Sequence, residues 1–414
     1  MQRILPLIAA LLVGAACVDR PERAASTPGE TAHASAIPTV AALSVRRVDT
    51  LRDTKGAAFV STSTGVIALS NGGFAALDLH QSRVGRFDVS GALQNTVGGR
   101  GSGPGEFQRP MSIFSLPSDS LAVWDTSLLR LSVFDGALGF SHTVRLDRWS
   151  TLMSFGMQLV GRFADGRWVG LVTMHEPGNP DAPTGVRSSV DTLVLFAGGD
   201  GEAPSEFIRL PLRPVVEVVL TRGPSSTIRR LQMAAVSQGV GAVCERGMVL
   251  VDATGVRQLD PRGRTLVTYP SPRLGDSIRT RSQREAIVNE VLEADIASSV
   301  VASKARGLLK RNLGGATERV ATATIDADGA LWYLRGSRTQ QPFVLERVDR
   351  QGRDDVAIEL QVFAMGASIG RTGVAMNLPG SDTTDNVAVF AHFPVAAVIS
   401  SDGPLGRCAA PFRY

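Results

Sequence analysis

The chain has 414 residues, of which 43% are hydrophobic and 20% are charged, so it can bury a large core without disulfide bonds. Its formal net charge is only +4, and its arginines are spread along the chain instead of forming a basic stripe, which excludes a nucleic-acid partner. The three cysteines contain no C-x-x-C pair, so a thiolate metal site is not expected.

Residues 1–17 are typical of a bacterial export signal. Arg3 supplies positive charge, and the apolar stretch from Ile4 to Ala16 is shorter than the roughly 20 residues that span a bilayer. The small residues before Cys17 resemble those of a lipoprotein signal, in which the cysteine becomes the lipidated first residue. Gly14 departs from the aliphatic residue that is usual at that place, so ordinary cleavage after Ala16 is the alternative.

The segment 18–42 is rich in Ala, Pro, Ser and Thr without an apolar period, which predicts a flexible tether. Val18 stands where lipoproteins of the inner membrane commonly carry aspartate, and this favours the outer membrane. We therefore expect a protein that is secreted across the inner membrane, is lipid-anchored in the cell envelope, and meets the membrane through its lipid only.

Two segments, 74–88 and 121–135, repeat the same pattern with every paired position 47 residues apart. Each reads as an apolar strand that ends in Asp, followed by Arg and then by Phe-Asp. Weaker copies bring the number of units to six, because the pattern returns near four further residues: Trp168, Gly247, Ile325 and Gly373.

Each unit contains short runs of alternating apolar residues separated by Gly, Asp, Asn and Pro, as expected of half-buried strands. A period in the forties fits four antiparallel strands, which form one propeller blade. We therefore predict an all-β fold over residues 43–400, a six-bladed β-propeller of four-stranded antiparallel blades with a helical insertion, followed by a C-terminal tail at 401–414. A β-sandwich is the alternative that the strict register of the first two copies disfavours.

The glycine-rich segment 98–110 joins the first two units. Together with the second unit it resembles the NHL repeat, whose blades begin with G-x-G-P-G-E-F-x-x-P and continue into Val-x-Asp and Arg-x-x-x-Phe-Asp. The matching residues are Gly101, Gly103, Pro104, Gly105, Glu106, Phe107, Pro110, Val123, Asp125, Arg130, Phe134 and Asp135. The whole chain is similar to the six-bladed propeller lipoproteins of environmental bacteria, which carry a helical insertion late in the propeller. The resemblance implies the fold and no established activity.

Two intervals between repeat units are longer than the others. The first interval contains the segments 175–185 and 220–227, which are rich in Gly, Pro and Ser and predict loops. The second contains residues 276–313, which predict helix, because Ser282-x-x-Glu285 is a capping box and apolar residues recur after it at helical spacing.

The predicted helical insertion is rich in basic residues, so we expect it to contact an acidic protein surface or an anionic glycan. The predicted contact residues are Arg279, Arg281, Arg284, Lys304 and Lys310. The alternative is that the helices only cover the edge of a blade and that their charges are solvated.

The repeated Asp and Arg residues are predicted to stabilise hairpins. Antiparallel pairing would bring Asp78 close to Arg83, and Asp125 close to Arg130. No H-E-x-x-H or G-x-S-x-G motif occurs, so we predict no catalytic residue, no metal site and no cofactor.

These observations favour a non-enzymatic binding or scaffold module in the cell envelope, with a protein, peptide or glycan as its ligand. The alternative is a metal-dependent propeller lyase or hydrolase with its site at the central channel. The few histidines, none of which recurs from unit to unit, disfavour that enzyme.

Overall fold

The computed structural model describes the chain in segments: 46–48, 54–55, 59, 65–69, 71, 73–88, 90–175, 185–222, 225–231, 239–244, 247–252, 255–269, 282, 285, 288–289, 299–312, 319–325, 330–336, 343–349, 354–360, 366–370, 373–379 and 386–392. The predicted signal peptide, tether and C-terminal tail therefore lie outside the described residues. For residues 354–392 the backbone alone is described.

The strands form successive antiparallel sheets, here called blades I to VI. An initial strand is followed by blade I, and then by blades II and III: β1 (Arg46–Val48); β2 (Val66–Ala68), β3 (Phe74–Asp78), β4 (Arg83–Phe87), β5 (Leu93–Gly98); β6 (Pro110–Ser115), β7 (Leu121–Asp125), β8 (Arg130–Phe134), β9 (Phe140–Arg145); β10 (Gln158–Arg162), β11 (Trp168–Met174), β12 (Gly185–Gly198), β13 (Ser205–Arg222) and β14 (Ser225–Leu231).

Blades IV, V and VI follow in the same way: β15 (Gly239–Cys244), β16 (Gly247–Asp252), β17 (Gly255–Leu259), β18 (Thr265–Tyr269); β19 (Arg319–Ile325), β20 (Leu331–Gly336), β21 (Phe343–Val348), β22 (Asp354–Leu360); β23 (Gly366–Gly370), β24 (Gly373–Pro379) and β25 (Asn386–His392). The helices whose bounds are described are two 3-10 turns, Pro117–Asp119 and Asp147–Trp149, and the α-helices α1 (Ser150–Ser154) and α2 (Ser299–Asn312). Residues 282, 285 and 288–289 of the predicted insertion are also helical.

Among the described residues there are six sheets, five of four strands and one, blade III, of five. Every repeat unit found in the sequence includes the second strand of one sheet, namely β3, β7, β11, β16, β20 or β24. The predicted fold class, an all-β propeller of antiparallel blades with a helical insertion, is therefore confirmed. The fifth strand of blade III was not predicted.

The ring closes through strands from the two ends of the propeller sequence. β1 pairs antiparallel with β25, so that Arg46 is opposite His392 and Val48 is opposite Phe390. The first strands of successive blades also contact one another, β2 with β6, β10 with β15, β15 with β19, and β19 with β23, while β23 returns to β2. Blade VI is therefore built from both ends of the propeller, and this pairing joins the last blade to the first.

The core lies between the faces of adjacent blades. Blades I and II share one apolar cluster, blades II and III a second, blades III and IV a third, and blades IV and V a fourth. Between blades II and III the rings of Phe114 and Trp168 lie 5.9 Å apart, and Trp149 is completely buried beside them. The alternating apolar residues of each strand thus supply both faces of a blade.

Aspartate stabilises the turn between the third and fourth strands in blades I, II and IV. In blade I the Asp88 carboxylate accepts hydrogen bonds from the backbone N–H groups of Ser90 and Ala92, at 2.8 and 3.0 Å. Asp135 and Asp260 make the same two bonds, to the N–H groups two and four residues further along the chain. The hydroxyl of Ser90 lowers the pKa of Asp88, and the N–H of Arg264 is the main cause that lowers the pKa of Asp260.

Gly161 allows two first strands to approach each other closely. A Cβ atom at Gly161, in β10, would lie 2.6 Å from Cβ of Val243 in β15. Side-chain carbons do not approach to that distance, so any larger residue would push blade III away from blade IV.

We predict that Gly161→Ala lowers the free energy of unfolding by about 1–3 kcal/mol, the usual cost of overpacking a core. Val243→Gly in the same chain should remove the clash, because it deletes the Cβ atom that the new side chain would meet, so the double variant should be more stable than the sum of the two single changes predicts. Urea unfolding of the four proteins measures this coupling. Strictly additive effects would contradict the proposed contact.

Candidate functional site

The glycine-rich connection 98–110 is held to blade II by Arg130. The guanidinium donates from Nη1 to the carbonyl of Ser102, at 3.0 Å, and from Nη2 to those of Gly103 and Glu106, at 2.6 and 3.1 Å. Arg130 is opposite Asp125 in the strand register, as predicted, but these hydrogen bonds go to backbone carbonyls and not to that carboxylate. Arg130 therefore fastens the connection between blades.

Asp125 is completely buried and accepts four backbone hydrogen bonds. Its Oδ2 atom accepts from the N–H groups of Gln108 and Arg109, at 2.6 and 3.1 Å. Its Oδ1 atom accepts from Ser127 and Leu128, at 2.9 and 3.0 Å. One carboxylate thus fixes both its own hairpin and the end of the glycine-rich connection.

The equivalent pair in blade I has a different arrangement. Asp78 is buried, and its Oδ1 atom accepts from the N–H groups of His80 and Gln81, while Oδ2 accepts from Nε of Arg83 at 3.2 Å. The Arg83 guanidinium carbon also lies 4.5 Å from the centre of the Phe59 ring. In blade I, therefore, the Asp and Arg are paired directly.

We predict that Asp125→Ala lowers the free energy of unfolding by about 2–4 kcal/mol, because it leaves four partly buried N–H groups without their acceptor. Asp135→Ala is the matched control, since that carboxylate binds two N–H groups in an exposed turn and its loss should cost less. Thermal and urea unfolding compare the two. Equal losses would contradict the central role of Asp125.

Blade III carries an extension that we call the arm, formed by residues 185–190 of β12, 214–222 of β13 and all of β14. β11 pairs with β12 from residue 192 onward, while residues 185–190 of β12 pair with β13 alone. Six residues at about 3.3 Å each extend the arm roughly 20 Å past the end of β11. The segment 220–227, predicted to be a loop, belongs to the β13–β14 hairpin except at residues 223–224, which are not described.

The arm leaves the blade at an irregularity in the strand pairing beside Asp191. Asp191 is buried, and its Oδ2 atom lies 3.0 Å from Nδ1 of His175, which directly follows β11. Further along the arm, buried Glu217 has an arginine as its register partner on each side, Arg187 on β12 and Arg230 on β14. Charged residues therefore mark both the base and the middle of the arm.

Helix α2 belongs to the predicted insertion and contacts β12 and β13. Lys304 is exposed, whereas Lys310 is ion-paired with Glu285 at 3.0 Å. Half-buried Arg306 donates a hydrogen bond to the side-chain oxygen of Asn289. The other predicted contact residues, Arg279, Arg281 and Arg284, lie outside the described residues, as does Cys17.

Residues 185–197 and 205–222 are rich in apolar residues, but the arm has no counterpart in the described parts of the other units, so the 47-residue spacing does not indicate it. Among the described residues, no group of three His, Cys, Asp or Glu side chains is placed to hold a metal ion. No described helix is long and apolar enough to cross a membrane.

No known family pattern matches this chain, and no curated protein is similar to it. Several solved structures are similar to it at low identity. Regucalcin from Agrobacterium tumefaciens, a calcium-binding protein, is 12% identical over 88% of this chain and 97% of its own, with a TM-score of 0.41. A member of the DUF4221 family from Bacteroides vulgatus is 11% identical over 84% and 94%, with a TM-score of 0.39. A streptogramin B lyase is 9% identical over 82% and 96%, with a TM-score of 0.37.

Proposed function

We propose that this chain is an NHL-type propeller lipoprotein that binds a protein, peptide or glycan of the cell envelope without catalysing a reaction. The observation that carries the proposal is the pair of additions at blade III: the arm, and α2, which contacts β12 and β13. A propeller needs four strands a blade, so the arm and the helical insertion are additions that ring closure does not require. Long additions to a compact fold are often functional.

The surface of these additions suits a polar, acidic partner. The arm strands contain Arg187, Arg222, Arg229 and Arg230 against the single acid Glu217. Lys304 of α2 is exposed, and so is the apolar side chain of Val190 on the arm, at 42%. An exposed cation attracts an acidic partner, and an exposed apolar residue can give a partner a dry contact.

We predict that a photoreactive amino acid placed at Val190 or at Lys304 crosslinks to one component of envelope extracts. Both positions are exposed, so the substitution should leave the fold intact. Phe155, which directly follows α1, is the matched control, because it is 58% exposed and lies away from the arm in sequence. Mass spectrometry of the products, and their loss at high salt, measure the interaction.

Products that form equally from position 155, or from none of the three positions, would contradict binding at the arm. The same extracts also test the alternative function, a metal-dependent lyase or hydrolase. Turnover of an envelope component that stops on chelation and returns with a divalent cation would favour that enzyme over the binding module.

We also propose that Cys17 carries the lipid and that the protein resides at the outer membrane. Labelled palmitate should enter the wild-type chain, and Cys17→Ser should abolish the label and leave a precursor or release soluble protein. Cys244→Ser is the matched control, because Cys244 lies at the end of β15 inside blade IV. A wild-type chain that never takes up the label would overturn the anchor.

A further inference from the structure

Blade I contains a cavity of about 460 Å³ that the proposed function does not use. Volumes of this order are typical of small-molecule sites in proteins. The described residues that line it are Thr54, Lys55, Gln81, Arg83, Leu93, Gln94, Asn95 and Thr96. These include two cations, three side-chain amides and two hydroxyls, with one apolar residue and no carboxylate.

A comparison with blade II indicates how this cavity arises. Phe107 ends the glycine-rich connection and packs on Phe134, with 6.0 Å between ring centres. Phe59 packs in the same way on Phe87, the counterpart of Phe134 in blade I, with 5.0 Å between ring centres. Phe59 is therefore the blade I counterpart of Phe107, although the sequence before it lacks the Gly-Pro-Gly-Glu motif.

Counting back from these two phenylalanines aligns Thr54 with Ser102 and Lys55 with Gly103. In blade II, Ser102 and Gly103 supply carbonyl oxygens to Arg130. In blade I, the aligned segment carries a lysine side chain and lines a cavity together with Arg83, the repeat counterpart of Arg130. Blade I thus places an added cation at the position where blade II has a glycine.

Three of the polar side chains around the cavity are held in place by the protein itself. Arg83 is fixed by Asp78 through Nε, the guanidinium nitrogen nearest to the backbone, and by the Phe59 ring. The amide of Gln94 donates to Asp88 at 2.9 Å, and that of Asn95 donates to the carbonyl of Ala137 at 3.1 Å. Groups that are already ordered lose little entropy when a ligand binds.

We propose that this cavity binds a sugar that carries a carboxylate, such as one residue of an anionic polysaccharide. Lys55 and Arg83 would pair with the carboxylate in charge-assisted hydrogen bonds. The amides of Gln81, Gln94 and Asn95 have the mixed donors and acceptors that sugar hydroxyls require. The site lies on a different blade from the arm, so it does not depend on the proposed function.

The whole chain has only three lysines, Lys55, Lys304 and Lys310. A test that modifies lysine can therefore follow each one separately. The full-length protein is acetylated briefly with and without trigalacturonate, and the rate at each lysine is measured by mass spectrometry. Slower acetylation at Lys55, with unchanged rates at the other two lysines, is the expected result. Maltotriose, which has no carboxylate, should leave all three rates unchanged.

Calorimetry with trigalacturonate gives a second readout. Lys55→Gln should weaken binding by about tenfold or more, the usual effect of losing a charge-assisted hydrogen bond. Lys304→Gln is the matched control and should bind as the wild type does. Thermal unfolding of both variants checks that each is folded.

An unchanged acetylation rate at Lys55, or equal protection by sulfate at the same ionic strength, would overturn the proposal. Protection of Lys304 or Lys310 in place of Lys55 would also overturn it, since it would place the sugar on the helical insertion. That last result would support the proposed function of the insertion, so failure of one idea is distinguishable from failure of the other.

Discussion

The structure depends on the pairing of β1 with β25, two strands that are more than 300 residues apart in sequence. A blade has apolar residues on both faces, so each blade needs a neighbour on either side, and an open row of blades would leave two faces exposed to water. Pairing the first strand with the last sheet removes both exposed faces at once. The entropy of closing so long a loop is offset by the apolar contacts that the whole ring gains.

The fold was predictable because the repeat places the same residue types at the same strand positions. A second strand that is followed by Asp, Arg and Phe-Asp forms its hairpins from residues that are close in sequence. The strict spacing between Asp78 and Asp125 gives the number of residues in one blade directly. The fold class and the second strand of every blade followed from that pattern. The partners of Arg130 did not, because backbone carbonyls of the connection leave no trace in residue identity.

The arm and the cavity were not predicted, for two physical reasons. Within the described residues the arm has no counterpart in the other blades, so the repeat spacing does not indicate it. The relation between Phe59 and Phe107 is visible only in the packing of the rings, since the intervening glycines and glutamate have changed while the aromatic contact has stayed. A repeat can thus lose its sequence signature and keep its geometry, and the altered copy then gains room for different side chains.

The arm shares two continuous strands with blade III, and this has a mechanical consequence. Strand hydrogen bonds lie perpendicular to the strand direction, so a force along β12 or β13 loads the whole ladder together instead of opening it one bond at a time. Between Gly185 and Gly198 the ladder of β12 and β13 is interrupted only by short irregularities. Anything that pulls on the tip along the strands therefore acts in shear, the direction in which a sheet is strongest, and transmits tension to the propeller without unzipping it.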